Sequence, residues 1–266
     1  MIRESGKRVF LGVMLILMYL PIVILAVYSF TDTANIGAIR GFSIQNYVTL
    51  FTLPELRNMI FGTFALALGS AAIATFFGTL GAIGAFYSKR KAKTAIGTLN
   101  QIPVVNADVV TGFSLCILLV VVCHVSKETF VPLVIGHVTL CAPFVYLSVM
   151  PKIRQMDGSI YEAALDLGAT PFKALWQVVI PQIVPGIISG WALAITLSLD
   201  DYFIATYTKP ATFDTISTYV VNATRGARTN IKTALWALST VIFALVILTV
   251  IVINLRAKRK EKGESV

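Results

Sequence analysis

Uncharged, largely apolar runs long enough to cross a bilayer as helices recur along this chain, separated by short polar or basic segments. The runs are continuous rather than alternating, which argues against a membrane β-barrel. They predict six spanning helices, at about residues 9–31, 59–87, 102–123, 129–151, 183–206 and 233–255. The first run follows Arg3, Lys7 and Arg8; it is too long for the apolar stretch of a signal peptide and lacks a small-x-small cleavage site, so it reads as a span. Residues 32–58, with Gly37, Gly41 and Pro54, read as a mixed loop, and 207–232 as a polar loop. Gly78, Gly81 and Gly84 in the second run predict close approach by another helix.

Between the fourth and fifth runs the pattern changes. Residues 157–181 are polar and helix-favouring, and such a stretch must face water. Asp157 or Ser159 can cap a short helix there, and Glu162 near its start suits the helix dipole. Gly168 is placed to stop that helix, and Thr170-Pro171 can begin a second one. Pro181 and Pro185 are expected to reset the chain before it enters the bilayer, giving a short helix-turn-helix under the membrane and a docking surface.

Composition sharpens the topology. Of 266 residues, 56% are hydrophobic and 13% charged, with a mean hydropathy of +0.80. The net charge of +9 comes from basic clusters beside apolar runs, notably Lys89–Lys93 and Arg256–Lys260. That placement fits the positive-inside rule better than nucleic-acid binding. With both termini inside, 15 Lys and Arg fall on the cytoplasmic side and 7 outside; the outer loop 207–232, with four, is the exception. No repeat or linker divides the chain, so residues 1–266 read as one membrane domain. Cys116, Cys123 and Cys141 lie inside apolar runs at no metal-like spacing, and His124 and His137 are too few and too isolated for a metal site. The only Gly-Lys pair, Gly6-Lys7, has no phosphate loop before it, so ATP must be hydrolysed elsewhere.

Three acids sit within or at the ends of the predicted spans: Asp108 in the third, and Asp200 and Asp201 towards the outer end of the fifth. A carboxylate at bilayer depth costs about 2.5–3.5 kcal/mol on insertion scales, so such residues line a pathway or find a partner. No basic residue shares their spans, which favours a cationic cargo neutralised in transit. Tyr202, Tyr207, Trp191 and Phe113 are close enough in sequence to face ammonium groups with their rings. Two alternatives stand: Asp200 and Asp201 lie solvated at the interface or pair with Lys209 or Arg225, and Asp108 caps its helix or pairs with a partner subunit.

The polar stretch resembles a known family. Glu162-Ala163-Ala164, Gly168, Val178, Ile180 and Pro181 match, at full spacing, the Glu-Ala-Ala-x3-Gly-x9-Ile-x-Leu-Pro pattern of permease subunits of binding-protein-dependent ABC importers. Val178 for Ile and Ile180 for Leu are conservative departures. The resemblance implies an all-α membrane protein with the six-helix type I ABC importer permease (MetI-like) fold. Its cytoplasmic coupling helix would engage an ATPase through Glu162, Ala163, Ala164, Gly168 and Pro181. The run Leu197-Ser198-Leu199-Asp200-Asp201, then Lys209-Pro210, together with Asn106-Ala107-Asp108, resembles the spermidine/putrescine (PotC-type) subfamily. Two departures concern the outer gate: Ala107 replaces that subgroup's usual proline, and its tryptophan near Asn46 is absent.

This second resemblance implies a permease subunit that moves polyamines into the cytoplasm by alternating access, with Asp108, Ser198, Asp200, Asp201 and Tyr202 on the substrate pathway. The implied partners are a paralogous permease, two copies of a cytoplasmic ATPase that hold the ATP and Mg, an extracytoplasmic polyamine-binding protein and the lipid bilayer. No cofactor or nucleic acid is expected on this chain. The expected location is a bacterial cytoplasmic membrane, with both termini inside. Rival readings are an ABC permease for another solute and an ion-driven secondary transporter with the acids as proton relays. The second would be short and lacks an inverted repeat. A membrane enzyme lacks a nucleophile–base set in the sequence.

Overall fold

The computed structural model describes residues 2–31, 41–225, 233–244 and 247–248. In chain order the helices are α1 (Ile2–Ser29), α2 (Gln45–Thr52), α3 (Pro54–Tyr87), α4 (Arg90–Val105), α5 (Asp108–Cys116), α6 (Val131–Gln155), α7 (Gly158–Asp166), α8 (Pro171–Ala174), α9 (Ile180–Asp200), α10 (Phe203–Thr208), α11 (Ile216–Arg225) and α12 (Thr233–Ala244). A single bridge, Thr31 to Phe42, is the only strand-like pairing among the described residues. Among the described residues, four helical stretches are long and apolar enough to cross a membrane, and Arg90–Val105 with Asp108–Val122, where α5 continues as a π-helix over Ile117–Val122, makes a fifth if the bent pair is one span. Helix α12 is shorter, and the rest of the predicted sixth span lies largely outside the described residues, as do Arg40, Arg228, Lys232 and the basic tail.

The chain forms two compact units, Met1–Asn58 with Val220–Val266, and Met59–Tyr219. In the first, α12 meets α1 through Tyr28 against Trp236 and Tyr19 against Phe243. The segment predicted as a mixed loop contains a helix. Buried Asn46 on α2 donates its amide to the Ser29 and Thr31 carbonyls, which α1 leaves without intrahelical partners. Ser29 and Tyr47 share a hydroxyl contact at 2.8 Å, and the Phe30 ring lies between Phe42 and Tyr47. Pro54, read as a loop residue, is the first residue of α3, where its missing N–H costs nothing.

The second unit is built on α6, which packs against α4, α5, α9 and α10. Leu133, His137, Cys141, Val145, Val149 and Ile153 form its buried stripe, at helical spacing. Against lipid there is no hydrophobic drive to pair helices, so close approach must supply the cohesion. Gly78 of α3 provides it: a Cβ there would lie 2.7 Å from the Ala142 carbonyl and from Val145 Cβ. Gly81 meets only the Tyr146 ring at 3.8 Å, and Gly84 meets nothing within 4 Å, so one glycine of the expected series does the work. Gly190 of α9 also lies against Val145 of α6, and against Ser148.

Two proline-containing stretches differ from expectation. The run 102–123 is broken, with α4 and α5 bent by 104°. Asn106 and Ala107 are extended between them, and Asn106 donates its side chain to Thr111 Oγ1 instead of continuing the helix. Pro103, inside the last turn of α4, weakens that turn by withholding an N–H. Conversely, Pro181 and Pro185 do not reset the chain, because Pro171–Asp200 runs as one span. The turns over Leu175–Val179 widen to a π-helix just before Pro181, giving its ring room and re-routing the bond it cannot make.

Candidate functional site

The polar stretch folds as a capped helix, a left-handed stop and a second helix start. Asp157 accepts the Ser159 N–H and caps α7, and this bond holds its carboxyl below the usual aspartate range. Gly168 ends the helix at φ +83°, a conformation that L side chains rarely adopt. Thr170 accepts the Lys173 N–H, and Pro171 occupies the first turn of α8. Glu162 lies past the first turn of α7, so its value to the dipole is smaller than the sequence suggested. Tyr161 packs its ring on Tyr87 at the end of α3, at 5.0 Å. That contact ties α7 to the helix core, while Glu162, Ala163, Asp166 and Leu167 face outwards. Leu167 is 89% exposed and Phe172 75%, an apolar rim beside the acidic and small residues. Pro181 is remote in character from this face, lying inside the continuous span.

The acids predicted for the pathway lie at the start of α5 and at the break between α9 and α10. Helix α5 packs along α10, where Gly112 lets the Ile204 backbone approach: a Cβ there would sit 3.0 Å from Ile204 Cα. Gly136 of α6 makes room for the Ile204 side chain from another side, so α10 is fixed between α5 and α6. This places Asp108, the first residue of α5, near the Asp200–Asp201 pair at the end of α9, close enough for both Asp108 and Asp200 to act electrostatically on Asp201. Asp108 and Asp200 are exposed and make no hydrogen bond or ion pair among the described residues. The Phe113 ring of α5 and the Tyr207 ring of α10 meet edge to face at 5.7 Å across this helix pair, and Tyr202 is half-buried.

Asp201 behaves differently from its neighbour. It is 7% exposed, and its carboxylate accepts the Ile204 N–H at 3.2 Å and the Ala205 N–H at 2.7 Å. It therefore serves as the cap of α10. Lys209, a partner considered for the acid pair, instead bonds Asp214 at 2.9 Å. Arg225's side chain lies outside the described residues.

Ser198 joins a buried polar chain that the sequence reading did not assemble. Its hydroxyl lies 2.8 Å from His137 Nδ1 on α6 and 3.2 Å from Ser70 Oγ on α3. His137 Nε2 lies 3.7 Å from Asp201 Oδ2, too long for a hydrogen bond, and has no other partner among the described residues. The residue types are those of a hydrolytic triad, but Ser198 is 1% exposed and His137 0%, so no scissile group can reach the hydroxyl. An isolated histidine in an apolar span was itself the available signal: an ionisable group there is costly unless it does something.

The comparisons with known proteins agree with this architecture. Residues 74–262 match the family model described as "Binding-protein-dependent transport system inner membrane component". The chain is 31% identical to the putrescine transport system permease protein PotI of Escherichia coli K12, over 84% of this chain and 82% of that protein. It is 28% identical to the spermidine/putrescine transport system permease protein PotC of Haemophilus influenzae, covering 95% and 96% respectively. A chain of a bacterial ABC transporter involved in the import of the acidic polysaccharide alginate superposes with a TM-score of 0.71 at 20% identity, covering 96% of this chain and 98% of that one. The fold is thus that of ABC importer permeases.

Proposed function

The chain belongs to the family of binding-protein-dependent transport system inner membrane components, and on that premise we propose that it is the permease subunit of a polyamine importer. It is a multi-pass membrane protein and not an enzyme; ATP hydrolysis belongs to a separate subunit. The observation that carries the cargo reading is the pair Asp108, at the start of α5, and Asp200, at the end of α9: two exposed carboxylates, unpaired among the described residues, each within electrostatic range of Asp201. A di- or polyammonium cation supplies the counter-charge that they lack. The two relatives named for putrescine and spermidine support the same class. The fold alone does not, since it also serves an importer of acidic polysaccharide.

In this reading a paralogous permease completes the pathway, a binding protein delivers the polyamine from outside, and two copies of an ATPase hold the ATP and Mg. Six spans form one permease domain in a bacterial cytoplasmic membrane, with both termini inside. Closure of the ATPases drives alternating access through the α7 face: Glu162, Ala163 and Ala164 meet the ATPase, and Gly168 fixes the angle to the next helix. Pro181 keeps its place in the span through the wide turn before it, so motion at α7–α8 passes up α9 to Ser198 and Asp200. Tyr202 lines the pathway at the start of α10.

The test is uptake of labelled putrescine and spermidine by the assembled importer. Asp200→Asn and Asp108→Asn should each lower uptake about tenfold or more with assembly intact, on the scale of a lost charged contact. Unchanged uptake in both variants sinks the cationic site.

A further inference from the structure

We propose that His137 is a positioning residue that decides which carboxylate of the Asp200–Asp201 pair faces the substrate. The inference rests on the cationic reading above. It begins from the buried chain of Ser70 on α3, Ser198 on α9, His137 on α6 and Asp201 at the start of α10, four groups from four elements in contact sequence. His137 is wholly buried and cannot touch a passing solute. It can act only through what it holds.

When Nδ1 accepts the Ser198 hydroxyl proton, the ring's hydrogen sits on Nε2, whose nearest charged neighbour is Asp201 Oδ2, 3.7 Å away. The ring therefore fixes the last turn of α9 from one nitrogen and faces the carboxylate from the other. Asp201, already committed to the Ile204 and Ala205 amides, is kept turned into the core. With residue 201 turned in, Asp200 is left on the outside of the helix end, exposed and unpaired among the described residues. Gly136, beside His137, admits Ile204 against α6, so the ring and the helix that Asp201 caps are held in register. Without the ring, the break between α9 and α10 loses the α6 group that faces both Ser198 and Asp201, and the two carboxylates can exchange roles.

Uptake kinetics of the assembled importer test this with two substitutions of similar bulk. His137→Leu keeps the volume and removes both nitrogens; His137→Gln returns an amide near Nε2, facing Asp201. Expected is a KM for polyamine raised about tenfold in His137→Leu, with Vmax and transporter amount within about twofold of wild type, and a KM largely restored in His137→Gln. A His137→Leu KM equal to wild type overturns the proposal. So does loss of Vmax and amount without a KM change, as a packing role demands, or a His137→Gln no better than His137→Leu.

Should the wild type take up no polyamine, the substrate reading falls separately. The positioning claim is then read from the reaction of Asp200→Cys with a cationic methanethiosulfonate, followed at that peptide by mass spectrometry. His137→Leu should slow labelling about fivefold by letting position 200 turn inwards; an unchanged rate overturns the claim.

Discussion

Replacing Asp201 with alanine removes the acceptor of the Ile204 and Ala205 amides and leaves both N–H groups buried without a partner. Loss of a helix cap costs about 0.5–2 kcal/mol. Asp201→Ala should therefore lower the melting temperature of the purified importer, whereas Asp200→Ala, at an exposed unpaired position, should leave it unchanged; equal melting shifts would contradict the division of roles. Gly168 is the second residue whose chemistry is set by backbone alone. At φ +83° an alanine is strained by about 1–2 kcal/mol, so Gly168→Ala should destabilise the fold by that order and weaken the link between ATP hydrolysis and uptake. The check is the ratio of ATP hydrolysed to solute imported, which should rise.

At the scale of elements, the packing of α6 with α3 and α9 determines whether the site exists. A methyl group at Gly78 would press on the Ala142 carbonyl and Val145, while one at Gly84 would meet open space. Overpacking of this kind costs about 1–3 kcal/mol. Gly78→Ala should lower thermal stability measurably and Gly84→Ala should not; a comparable loss in both would mean that α3 does not approach α6 there. The same elements explain what the hydrophobic pattern could not reveal. A run of apolar residues specifies a helix but not its bends, so the 104° break at Asn106-Ala107 and the unbroken passage through Pro181 both escaped it. Each depends on whether freed backbone groups find another partner: Asn106 finds Thr111, and the wide turn before Pro181 absorbs the proline.

For the whole molecule, an importer driven by a separate ATPase and an ion-driven transporter differ in what they consume. Uptake should persist with a protonophore present if ATP is maintained, and should stop when the ATPase partner's phosphate-loop lysine is replaced. Dependence on the proton gradient at constant ATP would return the acids to a relay role. The membrane class, the capped α7 with its glycine stop and the family motif were all legible in the sequence, because they rest on local chemistry: hydropathy over a run, a side chain capping its own helix, a glycine where φ must be positive. The three acids were legible as costly residues, but not as unequal ones. Which carboxylate is buried, that Lys209 prefers Asp214, and that His137 meets Ser198 across 61 positions all follow from how α5, α6, α9 and α10 come together. Contacts between residues far apart in the chain leave no periodic trace, and only the tertiary structure decides them.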